Sequence, residues 1–156
     1  MINVGLLGAG RIASVHATAI KRHPDSTLIA VSDYIPANAK KLAADFGCAE
    51  RSTAEIIADP EIDAVLIATS TDTHSALIEQ AVGAGKSVLC EKPVDLSLKR
   101  ARLCQSNTDS AGIPVMIGFN RRFDPNFQNF KTTLDGGEIG KPELLSITSF
   151  DPAPPP

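Results

Sequence analysis

Two glycines near the start of the chain lie where a tight turn could receive a phosphate group. Residues Val4–Leu7 are apolar, residues 8–10 read GAG, and apolar residues then recur at helical spacing. A strand, a glycine turn and a helix in this order, with the small Ala13 completing G-x-G-x-x-A, are typical of a dinucleotide fingerprint. Gly8 allows the sharp turn, Gly10 lets the backbone approach a pyrophosphate, and free N–H groups at the helix start would bind the phosphates.

An acidic residue follows the second predicted strand at the distance that this fingerprint requires. Residues Thr27–Ser32 form a β-branched segment, and Asp33 comes directly after it, 23 positions beyond Gly10. A carboxylate there would bind the hydroxyls of the adenosine ribose and repel a 2′-phosphate. The next residue is Tyr34, not the arginine that would accept such a phosphate, so the sequence favours NAD over NADP. The alternative interpretation is an ordinary turn aspartate before Pro36.

Polar residues also follow two apolar strands further along the chain. Residues Ala64–Ala68 lead into the hydroxyl-rich loop Thr69–His74, and residues Ser87–Cys90 lead into Glu91 and Lys92. Ligands lie beyond the carboxyl ends of the strands in an open parallel sheet, so both segments are predicted to line one site. A lysine there could hydrogen-bond to an oxygen of a ligand and act in proton transfer. Taken alone, a lysine after a strand is more often a solvated surface residue.

Four side chains near this predicted site have interpretations that the sequence leaves open. Ser70 could cap the following helix as well as touch a ligand. Glu91 could contact the nicotinamide side of a cofactor or pair with a cation. His74, at the start of a helix, is a candidate for contact with the nicotinamide half. His16 follows Ile12 by four residues, and we interpret it as a hydrogen-bonded core histidine.

Strands alternate with helices along the chain, which predicts an α/β fold of the Rossmann type, a doubly wound parallel sheet. The first helix is expected from about Arg11 to Arg22, with an apolar side formed by Ile12, Val15, Ala19 and Ile20. A helix beginning at Asp124 and Pro125 and a final strand over residues 143–150 complete the predicted order.

Composition and charge exclude several classes of function. The chain has 156 residues and a net charge of −3 with mixed signs, which gives no basis for a nucleic-acid or anionic-membrane partner. It has no apolar run of about 18 residues and no signal-peptide pattern, so we expect a cytoplasmic protein. Cys48, Cys90 and Cys104 fit no metal-ligand spacing, which predicts reduced thiols and no metal site.

Four motifs carry a resemblance to a known family. They are GAGRI at 8–12, CEKP at 90–93, GFNRRFDP at 118–125 and DPAPPP at 151–156. With these motifs the chain resembles the GFO/IDH/MocA oxidoreductases over essentially its whole length, and within them it is most similar to those that oxidise inositol. The resemblance implies an NAD-dependent oxidation of myo-inositol or a related polyol at a secondary alcohol, with Lys92 as the catalytic residue.

The motifs and the resemblance together give a set of candidate site residues. Those for the cofactor are Gly8, Gly10, Arg11, Ile12, Asp33, Thr69, Ser70, His74 and Glu91, and those for the substrate are Asn120 and Arg121. The resemblance also implies a second α/β domain of which this chain holds only the start. Residues 1–120 would form the NAD-binding Rossmann domain, residues 121–142 a connecting helix and loop, and residues 143–156 the first strand of a truncated C-terminal domain. A homo-oligomer is expected for the full-length enzyme.

Two other functions stay open at this point. One is a non-catalytic dinucleotide-binding module, because the family carries an Asp and a His in its second domain that this chain does not reach. The other is a related sugar dehydrogenase with another substrate, including one that uses NADP. Phe150 precedes the DPAPPP motif, where the inositol-oxidising relatives usually have an arginine, and this leaves the exact substrate open.

Overall fold

The computed structural model describes residues 1–148 and Phe150, and its centre is a six-stranded sheet. The strands are β1 (Ile2–Leu7), β2 (Ser26–Ser32), β3 (Ala49–Glu50), β4 (Ala64–Ile67), β5 (Ser87–Cys90) and β6 (Val115–Ile117). All pairs are parallel, and the spatial order is β3-β2-β1-β4-β5-β6. This is the strand order of a dinucleotide-binding sheet, whose direction of winding reverses between β1 and β4.

Helices cover both faces of this sheet. They are α1 (Arg11–Arg22), α2 (Pro36–Phe46), α3 (Thr53–Ala58), α4 (Thr71–Gly83) and α5 (Leu98–Asp109). A sixth helix, α6 (Pro125–Asp135), comes later in the chain. Helices α1 and α2 pack with Leu6 and Leu66, whereas α3, α4 and α5 pack with Leu7 and Ile67. Neighbouring strand residues point to opposite faces, so the predicted doubly wound parallel sheet is confirmed. No helix in the described residues has the length and apolar character of a membrane span.

The buried face of α1 differs from the one that the sequence predicted. Ala13, Ala17 and Ile20 are buried, whereas Ile12 and Val15 are 43% and 58% exposed. The buried residues recur at spacings of four and three, which is also a helical stripe. Because two of them are alanines, the helix backbone can lie close to the sheet. The prediction is confirmed for Ile20 and wrong for Ile12 and Val15, because it considered apolarity and not the space between helix and strand.

Local signals account for the ends of several helices. Pro36 is the first residue of α2, and Gly47 after the helix has a φ of +72° and donates its N–H to the carbonyl of Ala43 at 2.8 Å. Ser52 and Glu55 form a reciprocal capping box at the start of α3. Proline favours the start of a helix and glycine its end, so these two residues account for both ends of α2.

The chain divides into two compact units after Gly118. The second unit begins at Phe119 with a 3-10 helix over Asn120–Phe123. The side chain of Asp124 then accepts hydrogen bonds from two backbone N–H groups in the first turn of α6, as the sequence predicted for a helix cap. The assignment of residues 121–142 as a connecting helix and loop stays a prediction.

The final strand predicted over residues 143–150 is not present in the described part of the chain. Residues 143–148 and Phe150 carry no regular secondary structure and are exposed. A strand is stabilised by hydrogen bonds to a neighbouring strand, and among the described residues no strand lies beside this segment. The strand assignment is therefore wrong for this chain by itself. The assignment of residues 143–156 to a second domain stays a prediction, and the DPAPPP motif lies outside the described residues.

Gly8 offers a stability test of the close contact between the ends of β1 and β4. Its φ is +100°, and a Cβ added there would lie 2.4 Å from the carbonyl oxygen of Ala68. Gly47 also has a positive φ, but an added Cβ would meet no described atom within 4 Å. We expect urea denaturation to show a loss of about 3 kcal/mol or more for Gly8→Ala and about 1 kcal/mol for Gly47→Ala. Equal losses would contradict the close contact.

An ion pair between α4 and α5 should make stability depend on pH. The guanidinium of Arg100 donates to the carboxylate of Glu79 at 2.8 Å, and the side chain of Asn107 donates to it at 2.9 Å. The hydrogen bond from Arg100 is the main cause that holds the pKa of Glu79 below its usual range. Because the folded pKa is lowered, the pair stabilises fully above the usual glutamate pKa of about 4.3 and loses this effect as the pH falls through the folded value.

We therefore expect Glu79→Gln to flatten the acid side of the stability profile. The free energy of unfolding would be measured by urea denaturation from about pH 6 to about pH 3, the range in which carboxylates gain protons. Glu50→Gln, at an exposed position on the edge strand β3, is the matched control and should leave the profile almost unchanged. A Glu79→Gln chain that loses stability in acid as steeply as the wild type would refute this role for the pair.

Candidate cofactor and catalytic site

The carboxyl ends of four strands bring predicted site residues to one edge of the sheet. Gly8 follows β1, Asp33 follows β2, Thr69 comes just after β4, and Lys92 lies two residues beyond the end of β5. The strand order reverses between β1 and β4, and open α/β sheets bind ligands in the crevice at such a point. The structure thus brings these four residues together at the edge that the sequence indicated.

The two glycines of the turn, Gly8 and Gly10, have different structural roles. The N–H of Gly8 donates to the carbonyl of Ser32 at 2.8 Å, and the backbone of Ala68 occupies the space that a side chain at Gly8 would need. Gly8 is therefore required by the packing of the protein itself. An added Cβ at Gly10 would meet no described atom within 4 Å. The space in front of Gly10 is open, as a close approach by a phosphate group requires.

The start of α1 has the features of an anion site. Gly10 is the N-cap and has no side chain that could accept a hydrogen bond, and no acidic residue lies in the first turn. The N–H groups of this turn, the helix dipole and Arg11 all favour a negative group there. A cleft of about 320 Å³ adjoins the turn, and its charged lining residues are the cations Arg11 and Lys41 and the acidic Asp45.

The carboxylate of Asp33 is bonded to the glycine turn and to its own loop. Its Oδ2 accepts the N–H of Ala9 at 2.6 Å, and its Oδ1 accepts the N–H of Ile35 at 2.8 Å. The second hydrogen bond is the one that an aspartate makes in a turn, so Asp33 also has the turn role that was its alternative interpretation. Each carboxylate oxygen has two lone pairs, so each retains one acceptor position for a ribose hydroxyl. The side chain of Tyr34 is fully exposed and does not cover the carboxylate.

The loop after β4 keeps its hydroxyl groups near the crevice. The side-chain oxygens of Thr69 and Thr73 lie 2.7 Å apart, and the Thr73 hydroxyl donates to the carbonyl of Ser70. Ser70 is exposed at the N-cap of α4, where its side chain makes no capping hydrogen bond with any described residue. Its hydroxyl is therefore available to a ligand, and cofactor contact by Thr69 and Ser70 stays a prediction.

His74 occupies a different position from the one that the sequence suggested. Its side chain is 1% exposed, with Nδ1 2.7 Å from the carbonyl oxygen of Pro93 and Nε2 3.1 Å from that of Thr69. Both ring nitrogens face protein carbonyls, so the ring has no polar atom left for a ligand. The prediction of direct cofactor contact is wrong for His74, because its ring turns inward from the start of α4 and bridges two loops.

Glu91 is held by a histidine of the first helix. The Nε2 atom of His16 lies 2.7 Å from Oε1 of Glu91, and both side chains are partly exposed. The carboxylate of Glu91 is thus hydrogen-bonded within the chain, and its contact with the nicotinamide side of a cofactor stays a prediction. His16 is hydrogen-bonded as expected, but it lies at the site edge and not in the core.

Lys92 is exposed, and in the described part of the chain it enters no ion pair. The preceding Cys90 is fully buried in β5, and burial is the main cause that raises the pKa of its thiol to about 12. The thiol thus stays protonated at neutral pH and donates to the carbonyl of Glu91 at 3.3 Å. Because the thiolate is the nucleophilic form, Cys90 is excluded as a nucleophile at neutral pH, and the catalytic role of Lys92 stays a prediction.

The predicted substrate residues belong to the second unit. Asn120 lies in the 3-10 helix, and Arg121 has its Nη1 3.7 Å from Oδ2 of Asp124 and its guanidinium 5.3 Å from the ring centre of Phe127. Arg121 is still 63% exposed, so it could exchange these weak contacts for a hydroxyl-bearing ligand. The roles of Asn120 and Arg121 toward a substrate stay predictions.

Sequence reasoning missed two contacts at the site edge. They are His16 with Glu91, separated by 75 positions, and His74 with Pro93, separated by 19 positions. The sequence offers one signal, which is that α1 and α4, the helices that follow the glycine turn and the Thr69 loop, each contain a histidine. The partner of each ring depends on how its helix is rotated on the sheet, and hydrophobic periodicity does not determine that rotation closely.

Comparison with known proteins agrees with this geometry. A family model described as "Oxidoreductase family, NAD-binding Rossmann fold" matches residues 2–119. The chain is 47% identical over 155 residues to the inositol 2-dehydrogenase of Rhizobium meliloti (strain 1021), which covers 99% of this chain and 47% of that protein. The chain therefore spans about half the length of the curated relatives that it matches.

Solved structures give the same result. A probable dehydrogenase from Thermotoga maritima has a TM-score of 0.94 and 41% identity, over 99% of this chain and 47% of that one. The scyllo-inositol dehydrogenase from Lactobacillus casei, with bound NAD(H) and scyllo-inositol, has a TM-score of 0.85 and 30% identity, over 90% of this chain and 42% of that one. These matches confirm the fold and the resemblance predicted from the motifs, and the chain belongs to the GFO/IDH/MocA oxidoreductase family.

Proposed function

We propose that this chain is the NAD-binding part of an oxidoreductase that oxidises myo-inositol or a related polyol at a secondary alcohol. The observation that carries the proposal is the position of Lys92 beyond β5, on the same sheet edge as the glycine turn and Asp33. The relatives support the substrate class, because one is an inositol 2-dehydrogenase and another was solved with NAD(H) and scyllo-inositol.

The residues of the turn fit an adenine dinucleotide. The open space at Gly10 and the N–H groups of the first turn of α1 would receive the pyrophosphate, with Arg11 beside it. The two remaining acceptor positions of Asp33 would bind the ribose hydroxyls. Ile12 is 43% exposed at the start of α1 and offers an apolar surface at the same edge.

The chemistry required of the protein is modest. NAD, when bound, supplies the acceptor for the hydride that leaves the carbinol carbon. Lys92 in its neutral form would take the hydroxyl proton at Nζ and hydrogen-bond to the oxygen as the ketone forms. Glu91 and Pro93 on either side of it are held by protein contacts, so Lys92 projects from a fixed segment.

Exclusion of water from the reacting centre is assigned to the rest of the enzyme. Lys92 is exposed in this chain, whereas hydride and proton transfer are favoured in a closed site that orients the alcohol. We infer that the half of the relatives not covered by this chain closes the site, with Asn120 and Arg121 on the substrate side.

We also propose that the full-length enzyme is a homo-oligomer in the cytoplasm. The free thiols of Cys48, Cys90 and Cys104 fit a reducing compartment.

A second candidate function is a dinucleotide-binding module without catalysis. The exposure of Lys92 favours it, because nothing in the described residues shields this side chain from water. The two functions differ in one respect that can be measured. Both would bind NAD, but only the enzyme would gain turnover when it is joined to the part of a relative that this chain does not cover.

Cofactor preference tests the role of Asp33. We expect calorimetry to show that the chain binds NADH more tightly than NADPH by about tenfold or more, equivalent to about 1.4 kcal/mol, because the Asp33 carboxylate repels a 2′-phosphate. The double variant Asp33→Ser with Tyr34→Arg should prefer NADPH, since it replaces the repelling group and adds a cation.

Tyr34→Arg alone is the matched control for this prediction. It adds the cation but leaves Asp33 and its bonds to the N–H groups of Ala9 and Ile35 in place. We expect the single variant to bind NADPH better than the wild type but still to prefer NADH. Tighter binding of NADPH than of NADH by the wild-type chain would show that Asp33 does not discriminate between a ribose hydroxyl and a 2′-phosphate.

Turnover tests Lys92 and separates the two candidate functions. The chain would replace the matching N-terminal part of the Rhizobium meliloti inositol 2-dehydrogenase, to which it is 47% identical, and NADH formation from myo-inositol would be followed by absorbance. We expect Lys92→Ala to lower kcat by about two to four orders of magnitude, the range of a positioned acid–base group, with NADH affinity nearly unchanged. Lys92→Arg keeps the charge but cannot accept the proton, so it should be similarly slow.

The outcomes separate the candidates clearly. A fusion that binds NADH and turns over inositol only when Lys92 is present supports the dehydrogenase. A fusion that binds NADH without turnover supports the binding module, and Lys92→Ala turnover within about threefold of the wild type excludes Lys92 as the acid–base group.

A further inference from the structure

Both chain neighbours of Lys92 are held by histidines that come from different helices. His16 of α1 lies with Nε2 2.7 Å from Oε1 of Glu91. His74 of α4 lies with Nδ1 2.7 Å from the carbonyl oxygen of Pro93. Lys92 itself is exposed. The residue proposed to be catalytic therefore lies between two neighbours that are each hydrogen-bonded to a histidine.

Glu91 is fixed at three points. Its N–H donates to the carbonyl of Ile67 in β4 at 2.9 Å, and its carbonyl accepts the thiol of Cys90 at 3.3 Å. Its carboxylate bonds to His16 and lies against Gly118, where an added Cβ would be only 3.3 Å from Oε1. The side chain of Glu91 is thereby confined between α1 and the end of β6.

The segment after Lys92 is fixed from the start of α4. The ring of His74 is almost fully buried, and its second nitrogen lies 3.1 Å from the carbonyl oxygen of Thr69. The next residue, Ser75, is also buried and donates its hydroxyl to Oδ2 of Asp95 at 2.6 Å. Two adjacent residues of α4 thus hold the loop at Pro93 and at Asp95.

The two histidines also share an origin at the cofactor edge. Helix α1 begins at the glycine turn, and α4 begins at the loop that contains Thr69. A group that sits at the turn and the loop would therefore act on the same two helices that fix Lys92. Because an error of about 1 Å in a reacting group can cost about 100-fold in rate, such fixing matters for a lysine on an otherwise open edge.

We propose that His16 and His74 form a clamp, defined by their contacts with Glu91 and Pro93, that positions Lys92 over the cofactor edge. Both are positioning residues, since neither needs to touch the cofactor or the substrate. The importance of the clamp for catalysis rests on the function proposed above. Its effect on the backbone of Lys92 does not, and the experiment below measures that effect.

The test compares variants that lack the hydrogen-bond donors of His16 and His74 with variants in which a side-chain amide supplies them. Leucine is close in size to histidine and has no hydrogen-bonding group, so His16→Leu and His74→Leu open the clamp. The side-chain amide of glutamine can reach the position of Nε2, and that of asparagine can reach the position of Nδ1. His16→Gln and His74→Asn should therefore keep the two bonds to Glu91 and Pro93.

The measurement is the backbone order of Lys92 in the 156-residue chain from ¹⁵N relaxation, with NADH affinity recorded beside it. We expect an order parameter of about 0.85 for Lys92 in the wild type, below about 0.6 in the His16→Leu/His74→Leu chain, and about 0.8 in the His16→Gln/His74→Asn chain. The amides of Val31 in β2 and Leu98 in α5 should not change, which separates local positioning from general loosening.

Two results would overturn the clamp. One is an unchanged order parameter of Lys92 in the leucine chain, and the other is a Gln/Asn chain as mobile at Lys92 as the leucine chain. The single variant His16→Leu, which leaves the buried His74 in place, should lower the order of Lys92 partway, and no change there would also count against the proposal. Failure of the wild-type chain to bind NADH, with the order of Lys92 still following the histidines, would refute the proposed function and leave the clamp intact.

Discussion

The arrangement of this domain depends on the close approach of two parallel strand ends at Gly8. The carbonyl of Ala68 occupies the space that any side chain at Gly8 would fill, and the N–H of Gly8 reaches across to Ser32. The end of β1 is thereby held between the ends of β2 and β4. Every candidate group of the first unit lies at or beyond these ends or at the end of β5, so the turn determines where the site can be.

Outside the turn, the site is shaped by helices that start at the same edge. The first turns of α1 and α4 leave backbone donors facing the crevice, while residues further along the same helices reach Glu91 and Pro93. The helix starts are therefore available to a ligand, and the helix bodies support the segment that carries Lys92. Binding and support are separated by about one turn of helix, which is about 5.4 Å.

Much of the fold follows from local patterns, because apolar periods and Gly or Pro punctuation are properties of short segments. The order of strands and helices, the end of α2 at Gly47 and the cap at Asp124 were predictable on that basis. The buried face of α1 was not, because the choice of Ala13 over Ile12 depends on the distance between helix and sheet. Residues 143–148 could not be predicted reliably either, since a strand depends on a partner that the segment itself does not encode.

The site shows the same division. Gly8, Asp33 and Lys92 could be placed from the sequence, because the rule that ligands lie at the carboxyl ends of parallel strands needs only the strand order. The partners of His16 and His74 depend on the rotation of whole helices, which that rule does not give.

The hydrogen bond from the N–H of Ala9 to Asp33 has a consequence of its own. The side chain that we propose to discriminate between nucleotides also holds the glycine turn and its own loop in place, so a substitution of Asp33 would change the loop as well as the charge. A change of coenzyme preference at position 33 would therefore also alter how the backbone is held at Ala9 and Ile35.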